Sequence, residues 1–448
     1  MAHEAGPRHT RQRHMARRDF LKTAAALGAT VVAPGRASAQ QKTLKIMQWH
    51  HFVPGYDEWF NNTYVKQWGA RYNTRVIVDN VGMTSLTGRA DAEVAAQKGH
   101  DLCLFLWPPP SYETQVIDHG EIYKECERRY GKSLDIGIKS TFNPKTKKFY
   151  GFADSYVPDP VNYRKDLWDD VGMFPDSWED IRVGSRKIKD KHGIPAGLGL
   201  APELDSNMAL RSLMASFGAS VQDATGNPVL KSPQTLEALK FVKTLYREAM
   251  TDEVFTWDAS SNNRQMLAGK GSLTLNAISI TRTGESQKIP VSHDIWLAKV
   301  PKGPVRRLGV GHLTSVYVIW KFAENIEGAK QFLVDYMGSF RQAFLASQFY
   351  NFPCFPQTVP DLKALITKDL QATPPDKYKV LVDVGEWTTN LGYPGYANAA
   401  IDEIFGTWII SSMFAQVASG KTTPEDALSR ADKEVQAIFQ KWRTRGLI

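Results

Sequence analysis

The sequence predicts an α/β protein of two lobes, each a mainly parallel sheet flanked by helices, joined by two or three crossing segments. Three observations carry this expectation. At 448 residues the chain exceeds what one hydrophobic core of usual size organises. Its first part alternates strand and helix patterns, the order that builds parallel layers with right-handed crossovers. The stretch from Lys148 to Leu167 (KFYGFADSYVPDPVNYRKDL) is extended at first, Pro-interrupted at its centre and leads into a helix. Pro158 and Pro160 fix their own φ and push Val157 and Asp159 out of the helical region. A strand joining two lobes across a cleft needs that behaviour, although an ordinary surface connection would also fit the stretch taken alone.

Composition is that of a globular protein, with 42% hydrophobic and 23% charged residues. Seven Lys/Arg but only two Asp/Glu fall in the first 39 residues; without them the formal charge drops from +8 to +3, with 48 basic against 45 acidic residues. The body therefore offers no charge-based case for binding nucleic acid. In the leader, Arg17-Arg18-Asp19-Phe20-Leu21-Lys22 precedes a weakly apolar run from Thr23 to Pro34, and Ala37-Ser38-Ala39 offers a small-residue cleavage site. This resembles a twin-arginine export signal over residues 1–39, with Ala16 where Ser or Thr is more usual. The bland alternative is a basic tail before a short helix, and Met15 is an alternative start. No Cys stands at the cleavage point, and no later run approaches the roughly 20 apolar residues of a membrane helix. The expected mature protein is periplasmic, soluble and not lipid-anchored. Cys103, Cys126 and Cys354 form an odd set without metal spacing. Cys103 reads as a buried small hydrophobe, and a Cys126–Cys354 bridge stays open.

In chain order, Thr43 to Trp49 alternates and then runs apolar, a first strand. A helix follows over Asp57 to Arg71, then a strand over Thr74 to Asn80, and a helix capped by Thr84 or Ser85 through Gln97. Asp101 to Trp107 is continuous and apolar, as in a sheet buried on both faces. Beyond the central stretch, Ser177 caps a helix, Ala196 to Leu200 reads as a short strand, and Met208 to Phe217 is helical. Ser232 caps a longer helix with Pro233 at its first position. Strands are expected at Ser272 to Asn276, His293 to Val300 and Val316 to Trp320, with further crossings at Gly309 to Leu313 and Phe352 to Pro356. The last helix begins near Thr423, with Glu425 and Asp426 where the helix dipole favours acids.

In open α/β layers ligands sit at the carboxyl ends of strands. Those ends are His50 and His51 after the first strand and Trp107 after the third, the latter followed by three prolines. The Trp107 indole either caps the core or faces the cleft. Adjacent His50 and His51 cannot point the same way on an extended segment, and no third ligand stands nearby at metal spacing, so no metal is expected. No nucleophile elbow, Walker loop or dinucleotide fingerprint occurs in a strand–helix context. Neither catalytic residues nor a cofactor are assigned.

Several pieces in a fixed order carry a family resemblance. They are Tyr150-Gly151-Phe152-Ala153, Asn162 to Leu167, Phe174 to Asp180, Met266 to Leu273, Val300 to Pro304, Asn325 to Met337 and Ala418 to Leu428. Together the chain resembles the periplasmic solute-binding proteins of bacterial ABC-type sugar importers, the family of maltose-binding protein. The resemblance implies a type II, two-lobed binding-protein fold that closes on its ligand by hinge motion and docks on membrane permease subunits as a monomer. It implies a first lobe of residues 40–153 plus 312–355 and a second of 154–311 plus 356–448. It places ligand contacts at His50, His51, Trp107, Asp154, Tyr156, Glu203, Asp205, Trp257, Asn276, His312, Tyr393 and Tyr396.

Those residue types suit a carbohydrate, whose faces carry C–H patches and whose rim carries hydroxyls. Flat aromatics stack on the first, while Asp, Glu, Asn and His exchange hydrogen bonds with the second. The expected role is capture of a mono- or oligosaccharide or polyol for delivery to the importer, without catalysis. For each carboxylate the alternative is a helix cap or a solvated loop charge. At the level of function, a polyamine or other cationic solute would use the same acids and aromatics. A secreted glycoside hydrolase would need two carboxylates about 5–10 Å apart, for which Asp154 and Glu203 stand as candidates.

Overall fold

The structure is a computed structural model, and it describes residues 41–448. The expected export signal, its cleavage site and the alternative start at Met15 lie outside the described residues.

The strands in chain order are β1 (Lys42–Trp49), β2 (Thr74–Val81), β3 (Leu102–Phe105), β4 (Phe142–Asn143), β5 (Lys148–Phe149), β6 (Phe152–Val157), β7 (Val161–Arg164), β8 (Leu273–Leu275), β9 (Ile295–Ala298), β10 (Gly309–Val310), β11 (Leu313–Ile319), β12 (Phe352–Pro353) and β13 (Thr388–Thr389). Six of them form one sheet in the order β12-β6-β11-β3-β1-β2, and three form a second in the order β8-β7-β9. The continuous apolar run Leu102–Phe105 is buried at every position, as a strand covered on both faces must be.

The two lobes and their flanking helices match the expected α/β class, but the strand directions do not. Within the six-stranded sheet only β1–β2 and β1–β3 are parallel; β3–β11, β11–β6 and β6–β12 are antiparallel. The three-stranded sheet is antiparallel throughout. The cause is the crossings themselves. The chain leaves the larger sheet on β6 and re-enters it on β11 and β12, so these neighbours point opposite ways. In the smaller sheet β7 is the entering strand and lies between β8 and β9, both running back. Carboxyl ends of β1, β3, β6 and β8 thus still face the junction.

β6 stays in the larger sheet as far as Val157, where Leu313 pairs with it. The division expected between residues 153 and 154 therefore falls inside a strand. The passage between sheets is Pro158-Asp159-Pro160, where the two prolines remove the amide hydrogens a ladder needs.

Other departures have local causes. The first helix starts at Pro54 rather than Asp57, since Pro is accommodated in a first turn, and it contains a π-type turn over Phe60–Tyr64. Ser85 occupies the expected N-cap of the Leu86–Ala96 helix without a side-chain bond. Ala196 to Leu200 is buried but is not a strand. Its amides donate to three separate segments, Ala196 to Ala249, Gly197 to Leu273 and Leu200 to Val254, so no ladder forms. Gly197 is required there, because a Cβ would fall 2.2 Å from the Trp257 ring. Ser177 makes a reciprocal capping box with Asp180, and Ser232 caps the Pro233–Ala249 helix. Cys103, Cys126 and Cys354 are free and buried, so the Cys126–Cys354 bridge is not formed.

Candidate functional site

The junction of the two sheets is built from three passages of chain: Val157 to Val161, Val310 to Leu313, and Tyr350 to Cys354. Their backbones are tied together, with the His312 amide donating to the Val157 carbonyl at 2.7 Å and the Cys354 amide to the Asp154 carbonyl at 2.9 Å. The amino terminus of the Leu204–Ser216 helix abuts them.

His312 sits at the centre and is almost fully buried. Its Nδ1 lies 3.2 Å from Asp159 Oδ1, and its Nε2 lies 3.4 Å from Asp205 Oδ1, an ion-pair distance without a formed hydrogen bond. Burial alone would lower the imidazole pKa, but the Asp205 charge, then Asp159 and Glu203, together raise it to about 9. Asp205 is pushed up by burial and pulled back by the His312 charge; its other oxygen accepts from Asn262 Nδ2 at 2.6 Å. Glu203 is the N-cap of the Leu204–Ser216 helix, accepting from the Asp205 and Ser206 amides. The cap explains why the helix begins before Met208 and why this carboxylate is buried.

Beside this cluster, Asp154 on β6 is buried, its Oδ1 receives no hydrogen bond, and burial raises its pKa to about 7. Tyr156, two residues on, packs on Phe352 at 5.9 Å and lines a cavity of about 230 Å³ with Asn390 and Tyr393. His51 is enclosed. Its Nδ1 accepts from the Val53 amide at 2.9 Å, leaving Nε2–H for Asn351 Oδ1 at 3.2 Å, and burial lowers its pKa to about 4. Tyr350 stacks edgewise on that ring at 5.0 Å. Its hydroxyl has no partner, and burial, then Asp205 and Asp159, push its pKa up.

The remaining expected residues are dispersed. His50 points outward, its side chain 65% exposed and 3.8 Å from Asp57. Trp107 is half-buried; its indole N–H donates to Asp402 at 2.9 Å and its ring lies 5.2 Å from Phe405. Trp257 packs behind the junction against Gly197. Asn276, just after β8, donates to Asn263 at 2.6 Å and offers its carbonyl to Asn162. The Tyr393 hydroxyl is held by Arg306, and Tyr396 lies edgewise on Phe142. No group of three His, Cys, Asp or Glu able to hold a metal occurs among the described residues.

Sequence reasoning left out Asp159, Tyr350, Asn351, Gln48 and Arg211. Asp159 carried a signal, an acid held between two prolines at the crossing. Gln48 is the penultimate residue of β1, with both amide atoms buried and unpartnered, and only the strand-end rule would have found it.

The family described as bacterial extracellular solute-binding protein matches residues 135–347, a span that includes both of the first two crossings. Over that span the chain matches the family. The chain also matches a twin-arginine translocation signal over residues 14–34, so it is exported. No helix among the described residues is long and apolar enough to cross a membrane. A curated binding protein of Brucella abortus is 22% identical over 303 residues, covering 66% of this chain and 69% of its own.

Solved structures share the fold across most of the chain. A Thermotoga lettingae binding protein solved with α-D-tagatose has a TM-score of 0.73 at 16% identity, covering 89% of this chain and all 100% of its own. Maltose-bound MalE3 of Thermotoga maritima has a TM-score of 0.72 at 18% identity, covering 88% and 99%. An Agrobacterium radiobacter protein solved with ribitol has a TM-score of 0.68 at 17% identity, covering 89% and 98%.

Proposed function

We propose that this protein captures a carbohydrate or polyol at the junction of its two lobes and delivers it to the membrane subunits of an ABC-type importer. One observation carries the reading. Gln48, Asp154, Ser155, Asp159, Asn162, Asp205, Asn207 and Tyr350 all bury side-chain polar atoms that have no hydrogen-bond partner. Buried polar groups are nearly always satisfied, and an unpartnered one costs about 1–3 kcal/mol. Here they concentrate where the chain passes between sheets, beside Tyr156 and Tyr350. A polyhydroxylated guest supplies both donors and acceptors to such a set, and its C–H faces suit the aromatic rings. The sugar and polyol complexes of the structural neighbours agree with it.

Closure then follows from contacts made simultaneously on both lobes, a population shift. The groups bind and orient without breaking a bond, the protein acts as a monomer, and the lobes divide near Val157 and His312. Titration calorimetry against neutral mono- and disaccharides and alditols tests the reading, with a raised melting temperature expected for any guest of the closed form. Release of product from a saccharide would overturn it, as would a panel in which nothing is held.

A further inference from the structure

Three Lys/Arg side chains are buried among the described residues: Arg211, Arg282 and Lys377. Arg282 pairs with Asp369 at 2.6 Å, and Lys377 with Glu285 at 3.1 Å. Arg211 pairs with nothing. It is 5% exposed, and its Nε and Nη2 have no acceptor. Its guanidinium lies over the Phe405 ring at 5.4 Å, and burial alone lowers its pKa to about 9, with no carboxylate near enough to oppose the shift.

Nε and Nη2 are the two donors on one edge of a guanidinium. Elsewhere in this chain the same edge is used repeatedly: Arg128 grips Glu125 with it, Arg164 grips Asp166, Arg182 grips Glu179 and Arg341 grips Asp361. A side-on edge is the geometry that takes a planar oxyanion in two parallel bonds. A buried guanidinium without such a partner is costly, so an arginine kept in this position is expected to meet a charge from outside the chain.

The position adjoins the junction. Arg211 lines a small cavity of about 20 Å³ with Val310, two residues before His312, and with Tyr393, which also lines the cavity of about 230 Å³ beside Tyr156, so a guest reaches the guanidinium only as the lobes part. One turn earlier on the same helix, Asn207 donates Nδ2–H to the Phe405 carbonyl at 3.0 Å, leaving its Oδ1 unpartnered and able to accept a hydroxyl proton.

We infer that Arg211 receives a carboxylate of the captured solute, so that the preferred guest is a sugar acid rather than a neutral sugar. This rests on the solute-capture reading above and narrows it. The Arg211 edge takes the carboxylate, Asn207 takes a neighbouring hydroxyl, and no bond is made or broken.

The test compares matched pairs on the full mature protein by calorimetry: D-galacturonate with D-galactose, D-glucuronate with D-glucose, and D-gluconate with D-glucitol. Sodium sulfate and sodium acetate are run alone as a separate arm. At least one acid is expected to bind about 10- to 100-fold more tightly than its neutral partner, the range of a hydrogen-bonded charge. Arg211→Lys should cut that preference, and Arg211→Leu should abolish it while raising the melting temperature of the ligand-free protein by removing an unpaired buried charge. Equal binding of acid and neutral sugar would overturn the inference and leave solute capture standing. The same holds for neutral-sugar binding combined with sulfate or acetate saturating the arginine independently. An Arg211→Leu protein that melts lower without ligand would also overturn it, since the guanidinium would then be a structural group. If neither acids nor neutral sugars bind, the capture reading fails and the inference with it.

Discussion

His312 and Asp159 come from different crossing segments, 153 residues apart in sequence, and meet with imidazole Nδ1 3.2 Å from carboxylate Oδ1. The pair joins the passage that leaves the larger sheet to the passage that returns to it. Because Asp205 approaches the other ring nitrogen, the histidine also ties both passages to the amino terminus of the Leu204–Ser216 helix.

Replacing His312 by Gln leaves two buried carboxylates without an opposite charge. Breaking a buried pair in this way costs about 3–5 kcal/mol, which urea unfolding at pH 6 should register. The His312→Gln/Asp205→Asn double variant should regain part of the loss. The folded-state pKa of His312 is about 9, above the ordinary histidine value. Its contribution is therefore full below about pH 6.5 and disappears as pH rises through 9. A stability difference between wild type and His312→Gln that is unchanged from pH 6 to pH 10 would remove the imidazolium from the account.

Asp154 shows the same direction of pH dependence in a lower window, with burial as the cause. Its folded-state pKa is raised to about 7 by burial, so the folded protein binds its proton more tightly than the unfolded chain. Stability from this group falls as pH rises from about 4 to 7 and is level above. Asp154→Asn should therefore melt higher than wild type at pH 8 and nearly level with it at pH 4. Equal melting at both pH values would mean that the carboxylate is solvated.

Asp402 holds the loop after β3 to the Ala399–Gly406 helix, accepting from the Trp107 indole at 2.9 Å, the Ser111 hydroxyl at 2.5 Å and the Ser111 amide at 3.2 Å. Asp402→Ala removes an acceptor that is itself charged, at a cost of about 2–4 kcal/mol. Hydrogen exchange at the Ser111 amide should accelerate well beyond the global change. Unaltered protection at that amide would show the bracket to be incidental.

Arg282 is enclosed by Asp369, Glu285, the Gln348 carbonyl and the Tyr378 ring 3.7 Å away. Arg282→Met strands the buried Asp369, while Glu285 keeps Lys377, and should cost about 3–5 kcal/mol in a denaturant titration, whereas Arg282→Met/Asp369→Leu should recover much of it. A single variant as stable as wild type would show that the Asp369 carboxylate takes up a proton instead.

The class of fold was legible because β1, β2 and β3 follow ordinary periodicity, and because Pro158 and Pro160 mark the first passage between sheets. Strand direction was not. Nothing local to β7 or β11 records which neighbour the chain will lie beside after a long excursion. Among the residues at the junction, His312, Asp205 and Asp154 were expected from the family resemblance and from the strand ends and crossings, but their partners were not. Asp159 and Tyr350 acquire meaning only when distant segments meet. Arg211 stands in the apolar helix segment Met-Ala-Leu-Arg-Ser-Leu-Met, where one arginine reads as a surface residue until the Ala399–Gly406 helix covers it.

The three sulfhydryls, sealed away and unjoined, leave the protein indifferent to the redox poise of its surroundings. They also make it self-reporting. Cys103 belongs to a central strand of the larger sheet and Cys354 to the third passage, so an alkylating reagent tags each only when its own neighbourhood loosens. Different tagging speeds at the two positions would time a swing of the halves separately from wholesale melting, with no foreign label introduced.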